Sequence, residues 1–333
     1  MTATPPPIVL YHYPLSPWAQ KVTAYLALRG IEYSECHQPL HWPRPDLTDH
    51  FNIQYRRIPV MAIGRDFYYD TTLILEKLET LYPEKKTPLG AKGSVENGLS
   101  KLLEKWAETA VMKSTPFALP PDAPLWKDDR FLQDRVELWG DQFGHEARKK
   151  QHPGALAEVR LHFGLLEDLL GDGREWILGG DNIKLADIHA SCLLSWLATL
   201  PGTLSNDFFS EESYPRTHSY LTRYQKAIKC AMDNAPAPTI LSAPDAAERI
   251  LQSNYAEPDG IVMSDPTGFR QGQMVAVSRN DDLSSKIKHR DVGHLVTLTS
   301  QEIAIVTRAK TADIDIRIHC PRWQFLAEAT EAE

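Results

Sequence analysis

The chain has 333 residues, of which 42% are hydrophobic and 24% charged, and its formal net charge is -8. That length exceeds one ordinary core and predicts two or three domains, and the composition is that of a folded globular chain, not of long disorder. The negative charge, with no stripe of Lys and Arg, argues against nucleic acid, and no apolar run approaches the ~18 residues that a membrane-spanning helix needs.

Met1 to Pro7 carries neither the basic nor the apolar segment of a secretory leader, so a cytoplasmic protein is expected. Ile8 to Tyr13 is a short apolar and aromatic run stopped by Pro14 and Pro17, which suits a buried strand entering a tight turn. Trp18 to Arg29 has a helical apolar face of Val22, Tyr25, Leu26 and Leu28, with Gly30 just past its end. Ile31 to Glu35 reads as a second strand, and the stretch with Pro39, Pro43 and Pro45 as a loop. Pro59 to Ile63 and Phe67 to Tyr69 read as strands joined at Gly64, and Thr71 to Tyr82 as a helix with Leu73, Ile74, Leu78 and Leu81 inward.

Pro88 and Gly90 then mark a linker, and helical periodicity takes over. Leu99, Leu102, Leu103, Trp106 and Ala110 form one stripe, expected to face a core, and Phe131, Leu132, Trp139 and Phe143 a second. Pro153 is expected to open a third helix that Gly171 and Gly173 close, Leu185 to Leu200 is apolar enough for burial all round, and Pro215 opens a fifth helix. From Ala235 the composition shifts again. Pro236, Pro238 and Pro244 punctuate a connector, a short helix spans Ala246 to Leu251, and the period then becomes two. Met274 to Val277, Leu295 to Leu298, Ile303 to Thr307 and Asp313 to Cys320 read as strands, the last with one buried face and with Asp313 and Asp315 in solvent. Three domains result: residues 1-86, α/β; 93-234, all helical; and 235-333, a small β-rich sheet or barrel, with an SH3-like barrel as one form. Cys36, Cys192, Cys230 and Cys320 are scattered, and neither a disulfide framework nor a metal site is expected.

Ser16 stands where the first strand gives way to the first helix, and four short segments follow one another in register. They are Tyr13-Pro14-Leu15-Ser16-Pro17-Trp18, the Gly30 segment, Arg57-Ile58-Pro59-Val60 and Asp70-Thr71. Together they resemble the glutathione transferase family, especially its serine-type classes and the fungal-type proteins that carry an added C-terminal domain. The resemblance covers Ile8 to Pro83 well and the helical region more loosely; nothing after about Ala235 is explained by it. It implies a thioredoxin-like N-terminal domain, an all-helical domain of the transferase kind, glutathione as co-substrate, a homodimer, and a cis bond before Pro59.

On that resemblance, the backbone N-H and C=O of Ile58 pair with the cysteinyl residue of glutathione as an added strand does. Asp70 offers a carboxylate to the γ-glutamyl ammonium, and Thr71 a hydroxyl and backbone N-H to its carboxylate. Arg57 and Arg44 are candidates for a glutathione carboxylate. Ser16, at the positive end of a helix dipole, would donate to the sulfur and favour thiolate over thiol. A plainer reading of Ser16 is a helix N-cap, and Tyr11 or Tyr13 is an alternative source of the hydroxyl. Trp18, Trp42 and Trp106 are candidates to hold a small hydrophobic electrophile, with the second substrate expected between the domains. Asp187 in Lys184-Leu185-Ala186-Asp187-Ile188 matches half of a capping box, since Lys184 stands where Ser or Thr is usual. Two functions follow: a glutathione-dependent transferase, or related isomerase or lyase, acting in detoxification or secondary metabolism; or a silent scaffold that recruits a partner through its C-terminal domain.

Overall fold

A computed structural model describes residues 6-83, 88-258 and 260-330. The expected boundary at residue 86, and most of the stretch compared with a leader, lie outside the described residues. In chain order the elements are β1 (Ile8–His12), α1 (Pro17–Arg29), β2 (Ser34–His37), α2 (Pro45–Phe51), β3 (Val60–Ile63), β4 (Asp66–Tyr69), α3 (Thr71–Leu81), α4 (Ser94–Trp106), α5 (Met112–Ala118), α6 (Asp129–Trp139), α7 (His145–Leu169), α8 (Leu185–Thr199), α9 (Pro215–Asn234), β5 (Thr239–Ile240), α10 (Ala243–Leu251), β6 (Met274–Arg279), α11 (Leu283–Lys288), β7 (Asp291–Leu298), β8 (Glu302–Arg308), β9 (Asp315–Pro321) and β10 (Phe325–Ala329). They form two compact units. One holds residues 1-22, 32-81 and 237-333; the other holds 23-31 and 82-236.

The first unit is built on one sheet of ten strands, in the order β10-β6-β7-β8-β9-β4-β3-β1-β2-β5. Tyr11 of β1 lies opposite Cys36 of the parallel β2 and Val60 of the antiparallel β3, and Val60 lies opposite Tyr69 of β4. This register brings the exits of β1, β2 and β4 and the entry to β3 to one end of the sheet. Ser16, Gln38, Ile58-Pro59 and Asp70 therefore share that end. The β-rich C-terminal segment continues the same sheet, because β9 pairs in parallel with the outer edge of β4, Phe67 opposite Ile318. Its residues also share the core: Tyr11, Phe51, Phe67 and Tyr69 form one buried cluster with Ile250, Val277, Leu295, Ile318 and Phe325. Gly64, at φ +55°, closes the β3-β4 turn beneath Asn254, and a Cβ there would collide with the Asn254 carbonyl.

Several expectations change in this unit. Pro45 does not extend a loop but opens α2, where its missing N-H would have had no helical partner in any case. The second strand starts at Ser34, three residues after Ile31. β9 is buried on both faces: Ile316, Ile318 and Cys320 line the core, and Arg317 and His319 are covered as well. Two-sided burial is what an interior strand between β8 and β4 requires.

In the second unit, twelve consecutive residues of α8, Ala186 to Leu197, are buried. Asp187 Oδ2 accepts from the Lys184 N-H at 2.8 Å, and Oδ1 from the Ile177 N-H at 2.9 Å and the Tyr220 hydroxyl at 3.0 Å. The Lys184 side chain has no acceptor to return the bond, so the capping box is half formed. α7 begins eight residues before Pro153, which sits exposed within the helix and does not open it. The stripe read in α4 is only half covered: Leu99, Leu103, Trp106 and Ala110 are half-buried and Leu102 is 69% exposed, as is Val95 before it at 83%, whereas Ser100 and Glu104 are buried, with Glu104 Oε1 3.6 Å from His189 Nδ1 of α8. Among the described residues no helix is long and apolar enough to cross a membrane.

His319 is the charged bond between β9 and β4. Its Nε2 lies 3.0 Å from Asp66 Oδ1 and its Nδ1 2.6 Å from Glu302 Oε1, with the Tyr68 ring stacked at 4.7 Å, Glu257 at 3.9 Å, and Lys77 bridging Glu257 and Glu302 at 2.7 and 2.8 Å. Burial alone would lower its pKa, but the hydrogen bonds to Asp66 and Glu302 outweigh it and raise the pKa to about 9. Because the folded value lies above the ordinary 6.5, the stabilisation is fully present below pH 6.5 and is lost as pH rises through about 9. The shift corresponds to about 3 kcal/mol. Urea unfolding midpoints are expected to fall between pH 6.5 and 9.5, and the fall to flatten in His319→Gln; a flat wild-type profile would mean that the imidazole is neutral in the fold.

Candidate functional site

Pro14 and Pro17 end β1 and start α1, and the turn between them is closed by the Ser16 N-H, which donates to the Tyr13 carbonyl at 3.1 Å. Ser16 is 3% exposed and its Oγ accepts from the Ala19 N-H at 3.2 Å, so it caps the helix. The cap uses an oxygen lone pair and leaves the hydroxyl proton to donate. The two readings of Ser16 are therefore compatible: one hydroxyl can cap α1 and give a hydrogen bond to an anion at the positive end of the helix. Tyr11 is fully buried against Phe51 and Phe67 in the core, where burial raises its pKa well above the ordinary value.

Across the same end of the sheet, the Ile58-Pro59 bond is cis, and the backbone groups of Ile58 form no hydrogen bond among the described residues. Arg44 is buried: its Nε donates to the Arg56 carbonyl at 3.0 Å and its Nη1 to the Pro39 carbonyl. Arg57 grips the Asp281 carboxylate with both Nη atoms at 2.9 Å and Asp282 at 2.6 Å. These acidic partners lie in the turn between β6 and α11, where Asp282 also caps α11 by accepting from the Ser285 N-H at 2.6 Å. Arg44 thus tethers the backbone that carries Arg56 and Arg57, and Arg57 reaches the site with its charge already matched.

Asp70 adopts φ +69°, a left-handed conformation that Asp tolerates better than most residues, and stands before the first residue of α3. Its carbonyl accepts from Ile74, its Oδ1 from the Thr72 N-H at 3.1 Å, and its Oδ2 from Arg279 Nη1. Burial would raise the Asp70 pKa, but the Arg279 guanidinium, the Thr72 N-H and Lys21 together hold it below the usual carboxylate range. Thr71, buried, accepts from Lys21 Nζ at 3.0 Å, and the same ammonium lies 5.3 Å from the Trp18 ring. Ser16, Ile58, Pro59, Asp70, Thr71 and Arg57 are thus gathered at one end of the sheet. Trp42 is half-buried with its ring 4.7 Å from that of His289, and Trp106, in the second unit, packs edge-on against His162 at 5.3 Å.

Lys21, Arg279, Asp281 and Asp282 were not anticipated. Lys21 falls on the polar side of the α1 pattern, and Val-Ser-Arg-Asn-Asp-Asp reads locally as a strand running into a solvated turn. No local pattern signals that the turn will meet residues more than two hundred positions earlier.

Residues 10-86 match the family described as glutathione S-transferase, N-terminal domain, and residues 114-233 match a domain of unknown function, DUF7962. Glutathione S-transferase U8 of Arabidopsis thaliana is 21% identical over 201 residues, 60% of this chain and 77% of that protein. Among solved structures, a GST-like protein from Pseudomonas syringae aligns with a TM-score of 0.68 at 22% identity, covering 97% of this chain and 99% of its own. The beta-etherase LigF from Sphingobium sp. strain SYK-6 aligns at 0.54 with 17% identity, covering 68% and 99%. Rice GST1, in complex with glutathione, aligns at 0.51 with 18% identity, covering 74% and 96%. At these identities the structural likeness is one of fold. The N-terminal part of the chain is glutathione S-transferase-like, a thioredoxin fold followed by a helical region, and the likeness to the Pseudomonas protein extends over the C-terminal strands.

Arg44→Ala is expected to lower folding stability by about 2–3 kcal/mol, because the buried Arg56 carbonyl and the part-buried Pro39 carbonyl lose a charged donor, and Arg44→Lys is expected to recover only part of it. Denaturant midpoints measure this directly; an unchanged midpoint together with weakened ligand binding would make Arg44 a ligand contact instead.

Proposed function

We propose that the chain is a glutathione-dependent transferase in which Ser16 stabilises the glutathione thiolate for attack on a small hydrophobic electrophile. The observation that carries the reading is the Ser16 hydroxyl, which caps α1 through its oxygen and keeps its proton to donate, at the same sheet end as the backbone of Ile58, unpaired among the described residues. The cysteinyl residue pairs with Ile58 as an added strand. The γ-glutamyl carboxylate meets the Thr71 hydroxyl, where Lys21 adds positive charge, and Asp70 and Arg57 border the same ligand. Ser16 lowers the thiol pKa through its hydrogen bond and the helix dipole, and the thiol proton leaves to water; ~2 pKa units correspond to about 2.7 kcal/mol. The sulfur, not Ser16, forms the new bond. Addition, elimination and isomerisation all begin from that thiolate, and any of them suits detoxification or secondary metabolism. Trp18 and Trp42 are the aromatic surfaces we assign to the electrophile.

A specific observation favours a second reading, a binding or scaffold protein. Asp70 and Arg57 are both already paired with residues of the C-terminal segment, Arg279 and Asp281. Turnover separates the two: a panel of electrophiles with glutathione should yield conjugates or elimination products from an enzyme and none from a scaffold. Ser16→Ala is expected to cut turnover about 100-fold, matching ~2 pKa units, while glutathione affinity by calorimetry changes less than about threefold, and lost capping costs about 1 kcal/mol of stability. Unchanged turnover would move the hydroxyl role to Tyr13 or another donor. We also propose a homodimer, supported by the outward Val95 and Leu102 of α4. Light scattering should give twice the chain mass, reduced by Leu102→Glu; a monomeric wild type would remove the dimer.

A further inference from the structure

Arg279 ends β6 with its side chain 5% exposed and its guanidinium 5.2 Å from the Phe325 ring. It donates from Nε and Nη2 to the two Asp281 oxygens at 2.9 Å each, from Nη2 to Gln324 Oε1, and from Nη1 to Asp70 Oδ2. Asp281 in turn holds Arg57. A continuous chain of alternating charge, Asp70-Arg279-Asp281-Arg57-Asp282, thus joins two candidate anchoring groups of the N-terminal domain through residues supplied by the C-terminal strands.

We propose that Arg279 occupies the ammonium subsite of the candidate co-substrate site, so that this protein recognises the γ-glutamyl end of a thiol by its carboxylate and not by its ammonium. The inference rests on the glutathione reading above. Asp70 is the carboxylate placed to receive the ammonium, and its oxygens already accept from Thr72 and Arg279. A second cation at Asp70 would lie against the Arg279 guanidinium, and like charges in a buried setting oppose each other more than they do in water. Displacing Arg279 is disfavoured for the reason any buried ion pair resists the loss of one partner: the freed group keeps its desolvation cost. The γ-glutamyl carboxylate has the opposite experience at Thr71, where Lys21 presents positive charge, while Arg279 is matched by Asp70 and Asp281. The ligand class that fits is an anionic thiol peptide, with or without an α-ammonium.

The test uses the full chain and two thiols that differ in one group: glutathione and its desamino analogue, glutaryl-cysteinylglycine. Titration calorimetry of the wild type is expected to give affinities within about threefold of each other, a difference under ~0.7 kcal/mol. Arg279→Met, which keeps the apolar stem over Phe325 and frees Asp70, is expected to restore a preference for glutathione of about tenfold or more, and Arg279→Lys to keep the near-equality. A wild type that already prefers glutathione tenfold has an open ammonium subsite, and the proposal falls while the glutathione reading stands. A wild type that binds neither thiol, with an Arg279→Met variant that binds glutathione, overturns the proposal, because the paired Arg279 would then bar the thiol and not leave it held by its carboxylate. Binding of neither thiol by either folded protein removes the glutathione reading and this proposal together. Should Arg279→Met fail to fold by circular dichroism, the comparison of the two thiols on the wild type still decides.

Discussion

Asp66 opens β4, is fully buried, and is met by three groups of the C-terminal segment. The Ala256 N-H donates to its Oδ2 at 2.6 Å, the Glu257 N-H to the same oxygen at 3.1 Å, and His319 approaches Oδ1 at 3.0 Å. A buried carboxylate without such partners would be costly, and with them it fixes the segment that approaches it. β4 also has an outer edge whose backbone groups need partners, and β9 supplies them in parallel register. Edge pairing and the Asp66 cluster act on the same strand. Together they account for a ten-stranded sheet with one core in place of two sheets with a linker between them.

The same attachment explains how the far end of the added segment comes to lie at the candidate site. β6 is four strands away from β4 in the sheet order, yet Arg279 at its end meets Asp70 at the end of β4. The residues between them close over a common core: Tyr69 stacks on Tyr55 at 4.3 Å, Tyr55 lies 5.9 Å from Phe325, and Asp291 of β7 accepts from the Gln54 N-H at 2.6 Å and the Tyr69 hydroxyl at 3.0 Å. Burial raises the Asp291 pKa to about 7 despite those donors. The segment from Gln54 to Arg57, which leads into Ile58 and Pro59, is therefore held from the C-terminal side at every step.

How much of this was legible in the sequence follows from the range of the forces involved. Helix starts, the Gly30 stop, and the strand pattern from Ile8 to Tyr69 are set by neighbours a few positions away, and the gathering of Ser16, Pro59 and Asp70 follows once those strands are in register. Pro45 was misread because a proline permits a helix start as readily as it forbids a helix interior. The α4 stripe misled because its polar side has a specific partner: Glu104 meets His189, so that side is buried while Leu102 is turned outward. β9 misled in the same way, since alternation predicts one wet face and the Asp66-His319 cluster takes that face out of water. In α4 and β9 a long-range polar contact overrides a local apolar count.

The candidate site itself shows why recognising a motif and knowing its state are separate steps. The Ser16 hydroxyl keeps its proton to donate and Ile58 forms no backbone hydrogen bond among the described residues, whereas Asp70 and Arg57 are already neutralised by Arg279 and by Asp281 with Asp282. The charged groups flanking Ser16 and Ile58 are committed within the chain. On the proposed glutathione reading, binding energy comes chiefly from the backbone of Ile58, the Ser16 hydroxyl and the Lys21-Thr71 pair. Removal of a substrate ammonium then costs little, while removal of the thiol or of the strand-like cysteinyl backbone costs most of the interaction. The C-terminal segment thus does more than enlarge the protein: it supplies the counter-charges of Asp70 and Arg57, and under the glutathione reading that shifts recognition from the charged ends of a ligand toward its sulfur and its backbone.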